Sequence, residues 1–235
     1  MSHFHTTRWS IVLQARGNGQ DARAALESLC RAYRAPVLAF IRGRGYRNDV
    51  AEDLTQSFFE LFLEREDYAA ADPARGRFRA YLLTAIRHFL VNSAETANAA
   101  KRGGRASFES IDDIADENAS HPAADGTPEA AFDQAWALVI LNAALRRLRE
   151  EAHLAGKQEL FDQLRDFLIE VPDDEDYARV AARLDMRRNT VAVSVHRLRH
   201  RLRALVQEEV AQTAADRSGL ETELRELRYA FGPAM

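Results

Sequence analysis

The sequence predicts an all-α protein built as two small helical domains on a flexible acidic linker. Three observations predict it. Apolar residues recur at helical spacing through most of the 235 residues, with no convincing alternating strand. The composition shifts to Gly, Ala, Ser and Asp between Arg102 and Thr127. Near the C-terminus, Tyr177 to Leu205 reads as two helices around a tight turn, the second rich in arginine. The expected boundaries are 1–101 for the first domain, 102–127 for the linker, 128–211 for the second domain and 212–235 for a C-terminal helical extension.

Trp9, Val12 and Leu13 suggest a short first helix. Ala25, Leu26, Leu29, Tyr33, Val37 and Phe40 line a second over 21–42, which Pro36 should kink or divide. Gly43, Gly45 and Asn48 make a turn. A third helix over 50–64 turns Leu54, Phe58, Leu61 and Phe62 inward, with Asp49, Glu52 and Asp53 in its first turn, where the helix dipole favours acids. After a loop at Asp72, Pro73 and Gly76, a long fourth helix runs from Phe78 to about Ala100. Helices resume over 129–154 and 157–169, and Pro172 to Asp176 reads as an acidic turn. The extension suggests one more helix, from about Leu220 to Tyr229.

Whole-chain properties exclude several classes. No apolar run approaches the roughly 20 residues of a membrane span. Met1 to His5 lacks the basic and apolar regions of a secretory signal. Cys30 is the single cysteine, so an intrachain disulfide is impossible, and its apolar neighbours mark it as a small core residue. These features point to the cytoplasm. No phosphate-binding glycine loop, nucleophile elbow or metal-ligand spacing is present, so no enzymatic activity and no cofactor are expected. His196 and His200 lie four apart on a helix, but HRLRH lacks the glutamate of a zinc-protease motif and its neighbours are cationic, so no metal is expected there.

The arginine-rich segment carries the clearest functional signal. Val191, Val195, Leu198, Leu202 and Leu205 line one face of its second helix, with Asn189 or Thr190 as cap. Tyr177 to Leu205 holds eight arginines and one acid, Asp185, a local surplus of seven positive charges in a chain of net charge −4. Concentrated cationic charge on a helix-turn-helix is a footprint of DNA binding; the alternative is a solvated arginine-rich surface helix. In the first half, Gly76 to Leu82 interleaves arginine with aromatics, as suits unstacked bases. The alternative there is a core-facing Phe78 and Tyr81 with arginines on the surface.

In this order around an acidic linker, AEDLTQSFFELF, RFRAYLLTAIRHFLVN and YARVAARLDMRRNTVAVSVHRLRHRLRALV resemble a bacterial RNA polymerase sigma factor of the extracytoplasmic-function (ECF) group, over roughly Ala22 to Val210. That group keeps only sigma regions two and four. The resemblance implies that Asp49, Glu52, Asp53 and Gln56 dock on the clamp helices of the polymerase beta-prime subunit, while the second domain meets the beta flap. It implies that Arg75, Arg77, Phe78, Arg79, Tyr81, Arg87, His88 and Asn92 meet the −10 promoter element as it melts. It implies that Arg187, Arg188, Asn189, Thr190, Val193, His196, Arg197 and His200 read the −35 element. The linker acids would thread the polymerase channel in place of nucleic acid.

The sequence departs from the group in its TRWS-containing start, in its extension past Val210, and in a less basic stretch from Ser93 to Asn98. The start and the extension resemble a subgroup controlled by Ser/Thr kinases, which makes Thr55 a candidate phosphosite; the alternative is a helix-surface hydroxyl without a role. The partners implied are core RNA polymerase, promoter DNA and a Ser/Thr kinase, with no membrane. A competing function is a helix-turn-helix regulator that binds DNA as a dimer without being a polymerase subunit.

Overall fold

The computed structural model describes residues 9–17, 19–102, 126–170, 172–211, 221–225 and 227. Those residues form eight longer helices and no strand: α1 (Trp9–Ala15), α2 (Gln20–Gly43), α3 (Asn48–Glu64), α4 (Phe78–Arg102), α5 (Pro128–Leu154), α6 (Gln158–Leu164), α7 (Asp174–Arg183) and α8 (Arg188–Ala211). Short 3-10 turns occupy Asp67–Ala70, Pro73–Arg75 and Asp166–Leu168. Residues 221–225 are helical, inside the span expected for the extension. Thr7 and Arg8 of the TRWS start, and residues 103–125 of the expected linker, lie outside the described residues.

Local chemistry explains the places where helices start and stop. Thr127 caps α5, its hydroxyl accepting from the Ala130 N–H at 3.1 Å, with Pro128 at the first helical position, where no N–H is needed. Asp173 caps α7 in a reciprocal box. Its carboxylate accepts from the N–H groups of Glu175 and Asp176, and Asp176 accepts from the Asp173 N–H at 3.1 Å. The acidic stretch expected as a turn is therefore the first turn of α7, and these backbone donors hold the Asp173 carboxyl below its usual range.

Two other expectations change. Pro36 does not divide α2, which continues to Gly43 with Tyr33, Val37, Phe40 and Ile41 buried on both sides of it. Packing of this face outweighs the one hydrogen bond that proline removes. The helix expected over 157–169 ends at Leu164 and tightens into the 3-10 turn, closed by Leu168 N–H to Arg165 O at 3.1 Å.

The core is built around α2. Helices α1 and α3 pack on it, α5 crosses it in an extensive contact, and α5 also packs along α8. Tyr33 of α2 stacks on Phe132 of α5 with ring centroids 6.4 Å apart and meets Phe78 of α4 edge-on at 5.4 Å. The close approach demands a missing side chain: a Cβ on Gly43 would lie 2.8 Å from the Pro128 Cα. Residues on both sides of 103–125 thus join one apolar cluster running from Ile11 to Leu227. The composition change that marks 102–127 in the sequence says nothing of the apolar face α5 turns to α2. A smaller cluster, centred on Leu164, Val180, Ala181, Val191 and Val195, holds α6, α7 and α8 together. Cys30 is partly exposed on α2, and burial pushes its thiol up to about 11.

Candidate nucleic-acid interface

The helix pair α7–α8 forms around a four-residue connection, Leu184 to Arg187. Asp185 takes the left-handed conformation at φ 49°, which a short polar side chain tolerates. The chain turns as Leu184 N–H bonds Val180 O at 3.0 Å and Met186 N–H bonds Ala181 O at 2.9 Å. Phe167 and Tyr177 meet edge-on at 5.8 Å beneath the turn. The new helix opens on the Arg187 carbonyl, which accepts from Thr190 and Val191 N–H, so Asn189 and Thr190 lie in its first turn rather than at its cap.

Burying Val191, Val195 and Leu202 decides what the opposite face shows. Arg187, Arg188, Asn189, Thr190, Val193, His196, Arg197 and His200 are all exposed. Along the helix, 189, 193, 196, 197 and 200 fall at helical spacing, so the side chains share one face. Val193 is 43% exposed, an apolar side chain in the middle of a polar and cationic surface. Arg188 is paired with Asp174 across the turn.

Not every arginine of α8 faces outward. Arg199 donates from Nε to the Phe167 carbonyl at 2.9 Å and from Nη2 to the Glu170 carbonyl at 2.7 Å, binding the loop before α7. Arg201 grips Glu151 of α5 with Nε and Nη2 at 2.8 and 2.6 Å, and reaches Glu208 at 3.1 Å. Arg147 of α5 answers with Glu208 at 2.5 Å and Glu209 at 2.7 Å. Hydrogen bonding to Arg201 holds the Glu151 carboxyl below its usual range, and hydrogen bonding to Arg147 does the same for Glu208. Part of the positive surplus in the sequence is thus consumed by packing α8 onto α5. Beside Arg197 and Lys157, an apolar cavity of about 240 Å³ opens between α5, α6 and α8, lined by Leu148, Leu160, Phe161 and Leu198.

The residues singled out for melted DNA are arranged differently. Arg75 is exposed, and His88 and Asn92 are half-buried on α4. Phe78 is 3% exposed and belongs to the core. Tyr81 donates its hydroxyl to the Asp67 carbonyl at 2.6 Å, and Arg87 pairs with Glu129 at 2.9 Å. Arg79, 5% exposed, is the most enclosed charged side chain of the group. Its guanidinium lies 4.2 Å above the Trp136 ring, donates to Asp133 of α5, and donates to Glu223 at 2.8 Å. Arg77 Nε stands 3.9 Å from the other oxygen of Glu223. The alternative of core-facing aromatics therefore describes Phe78, whereas Arg79 is not on the surface. Sequence reasoning missed Asp133 and Glu223 because each partner lies far along the chain, and no local pattern marks such a pair.

The acidic stripe of α3 is positioned by the same rule of opposite faces. Asp49, Asp53 and Gln56 are exposed; Glu52 is half-buried between Arg34 at 2.5 Å and Arg42 at 3.4 Å. Asp49 pairs with Arg47 at 3.0 Å and Gln56 donates to Glu60 at 2.9 Å. Thr55 corrects the sequence reading. It is 0% exposed and donates its hydroxyl to the Ala51 carbonyl at 2.7 Å, so neither a kinase-accessible site nor a surface hydroxyl describes it. It belongs to the face that buries Ala51, Phe58 and Phe62, not to the acidic one.

Among the described residues, no group of three or more His, Cys, Asp or Glu is placed to hold a metal ion. Nor is any described helix long and apolar enough to cross a membrane. No family model, no curated protein and no solved structure matches this chain.

Proposed function

We propose that this chain is a transcription initiation factor of the ECF sigma type, which binds core RNA polymerase and directs it to promoters. The observation that carries the reading is the outer face of α7–α8. Eight side chains singled out by the sequence stand exposed, seven of them on a helix whose opposite face is fixed in the core. On this reading Arg187, Arg188 and Arg197 contact phosphates, Asn189 and His196 reach base edges, and Val193 meets a thymine methyl group. The acidic stripe of α3 serves as the polymerase contact. Arg77 and Arg79 meet the melted strand once the Glu223 carboxylate has left them.

Run-off transcription with purified core polymerase over a promoter library tests the proposal. Promoter-specific transcripts that depend on the protein are expected. No specific transcript above core alone, together with unaided binding of a duplex operator by a dimer, would replace it with a helix-turn-helix regulator.

A further inference from the structure

The most enclosed charged group in the described structure joins α4, α5 and the C-terminal extension. Glu223 is 1% exposed, although it belongs to a short helical stretch, 221–225, far along the chain from its partners. Its carboxylate accepts from Arg79 and faces Arg77, while Asp133 takes the other side of the Arg79 guanidinium. Leu227, buried in the main core, and Leu224, packed against it, anchor the segment beside the charges.

We infer that this segment is an internal latch, in which the Glu223 carboxylate occupies the place of a backbone phosphate of single-stranded DNA on Arg77 and Arg79. The inference rests on the reading that Arg77 and Arg79 meet a melted strand. Removing Glu223 takes a carboxylate from beside two guanidiniums in a setting of low dielectric, where losing a counter-charge is costly. A guanidinium fork accepts carboxylate and phosphate through the same geometry. The entering anion must therefore offer charged oxygens, and a strand phosphate does. Asp133 stays on α5 and keeps Arg79 oriented over Trp136, so the site persists when its fourth member departs. Strand and extension then compete for one position.

The test uses full-length protein and a fluorescent twelve-nucleotide oligothymidylate, followed by anisotropy across a salt series. Glu223→Gln removes the charge with little change of shape; Leu227→Asp weakens the anchor away from the charges. Both are expected to bind the strand at least about five-fold more tightly than wild type, with a salt slope steeper by about 0.7 for one added phosphate. Adding Arg77→Gln to Glu223→Gln should return the affinity to the wild-type value. Unchanged affinity in the folded variants overturns the latch and leaves the four charges a purely structural network. On wild type, saturating oligonucleotide should speed tryptic cleavage after Arg225; an unchanged or slower rate overturns the latch whether or not the variants fold. Run-off transcription separates the two ideas. Tighter strand binding without promoter-specific transcription in any form keeps the latch and removes the initiation role; transcription by wild type without the gain in binding does the reverse.

Discussion

Replacing Gly43 with alanine asks whether the two halves of the chain share a core in solution. Two effects oppose each other, and their sum has a definite sign. Alanine is the better helix former, by up to about 1 kcal/mol in a helix interior and less at the last residue of α2. Against that, the added methyl would sit 2.8 Å from Pro128 Cα and 3.3 Å from Pro128 Cβ, where carbon pairs prefer about 3.5–4.0 Å. The obstructing atoms belong to the backbone and ring of a residue fixed at the start of α5, so no side chain can swing away. Relief requires α2 and α5 to part by several tenths of an ångström along their shared surface, an overpacking that costs about 1–3 kcal/mol. The net expectation is a loss of about 1–2 kcal/mol, and each kcal/mol lowers the melting temperature by about 2–4 °C in a protein of this size. Urea and thermal unfolding of Gly43→Ala beside wild type measure it. A variant as stable as wild type, or more stable, would show propensity acting alone and refute the packing of α5 on α2.

The remaining expectations concern single side chains. Thr55→Val should change stability by less than about 1 kcal/mol, since the hydroxyl serves only an already bonded helix carbonyl, whereas Thr55→Glu should unfold α3 from the core at a cost of several kcal/mol; equal melting temperatures for the two would overturn the burial. Arg197→Ala should weaken duplex binding with little change in unfolding, and Arg199→Ala should lose about 1–3 kcal/mol of stability by releasing two carbonyls; titration and denaturant unfolding of both variants would expose a reversed pattern. Because Glu151 and Glu208 have folded values below the ordinary one, their contribution is present above about pH 4.3 and disappears as the pH falls through the lower folded values. The gap in melting temperature between wild type and Glu151→Gln should therefore narrow from pH 7 towards pH 3, and a constant gap would rule out the linkage.

The helices were legible because their signals are local. The apolar spacing of α3, the proline and threonine opening α5, and the buried stripe of α8 are written within a few turns of chain. The same locality explains the outward set on α8: once Val191, Val195 and Leu202 face inward, helical geometry fixes where Asn189, Val193 and His196 stand. What escaped the sequence depends on distant partners. Nothing near Arg199 says that the carbonyls of Phe167 and Glu170 await it, and nothing near Thr55 separates a hydroxyl on the acidic stripe from one a quarter-turn away in the core. Arg79 is the extreme case, with Asp133 and Glu223 lying 54 and 144 residues further along.

On the proposed reading, helix α5 does more than join the halves. Its 27 residues span about 40 Å, the length of roughly 12 base pairs of duplex. Near one end Phe132 and Asp133 grip α2 and α4; near the other Arg147 and Glu151 grip α8. Such a rod is a ruler. While both grips hold, the outer face of α8 and the arginines at the start of α4 keep one separation, set by helix length and not by the chain between 103 and 125. On the proposed reading, nucleic-acid sites at another spacing are reached together only by a molecule that has let go of one end.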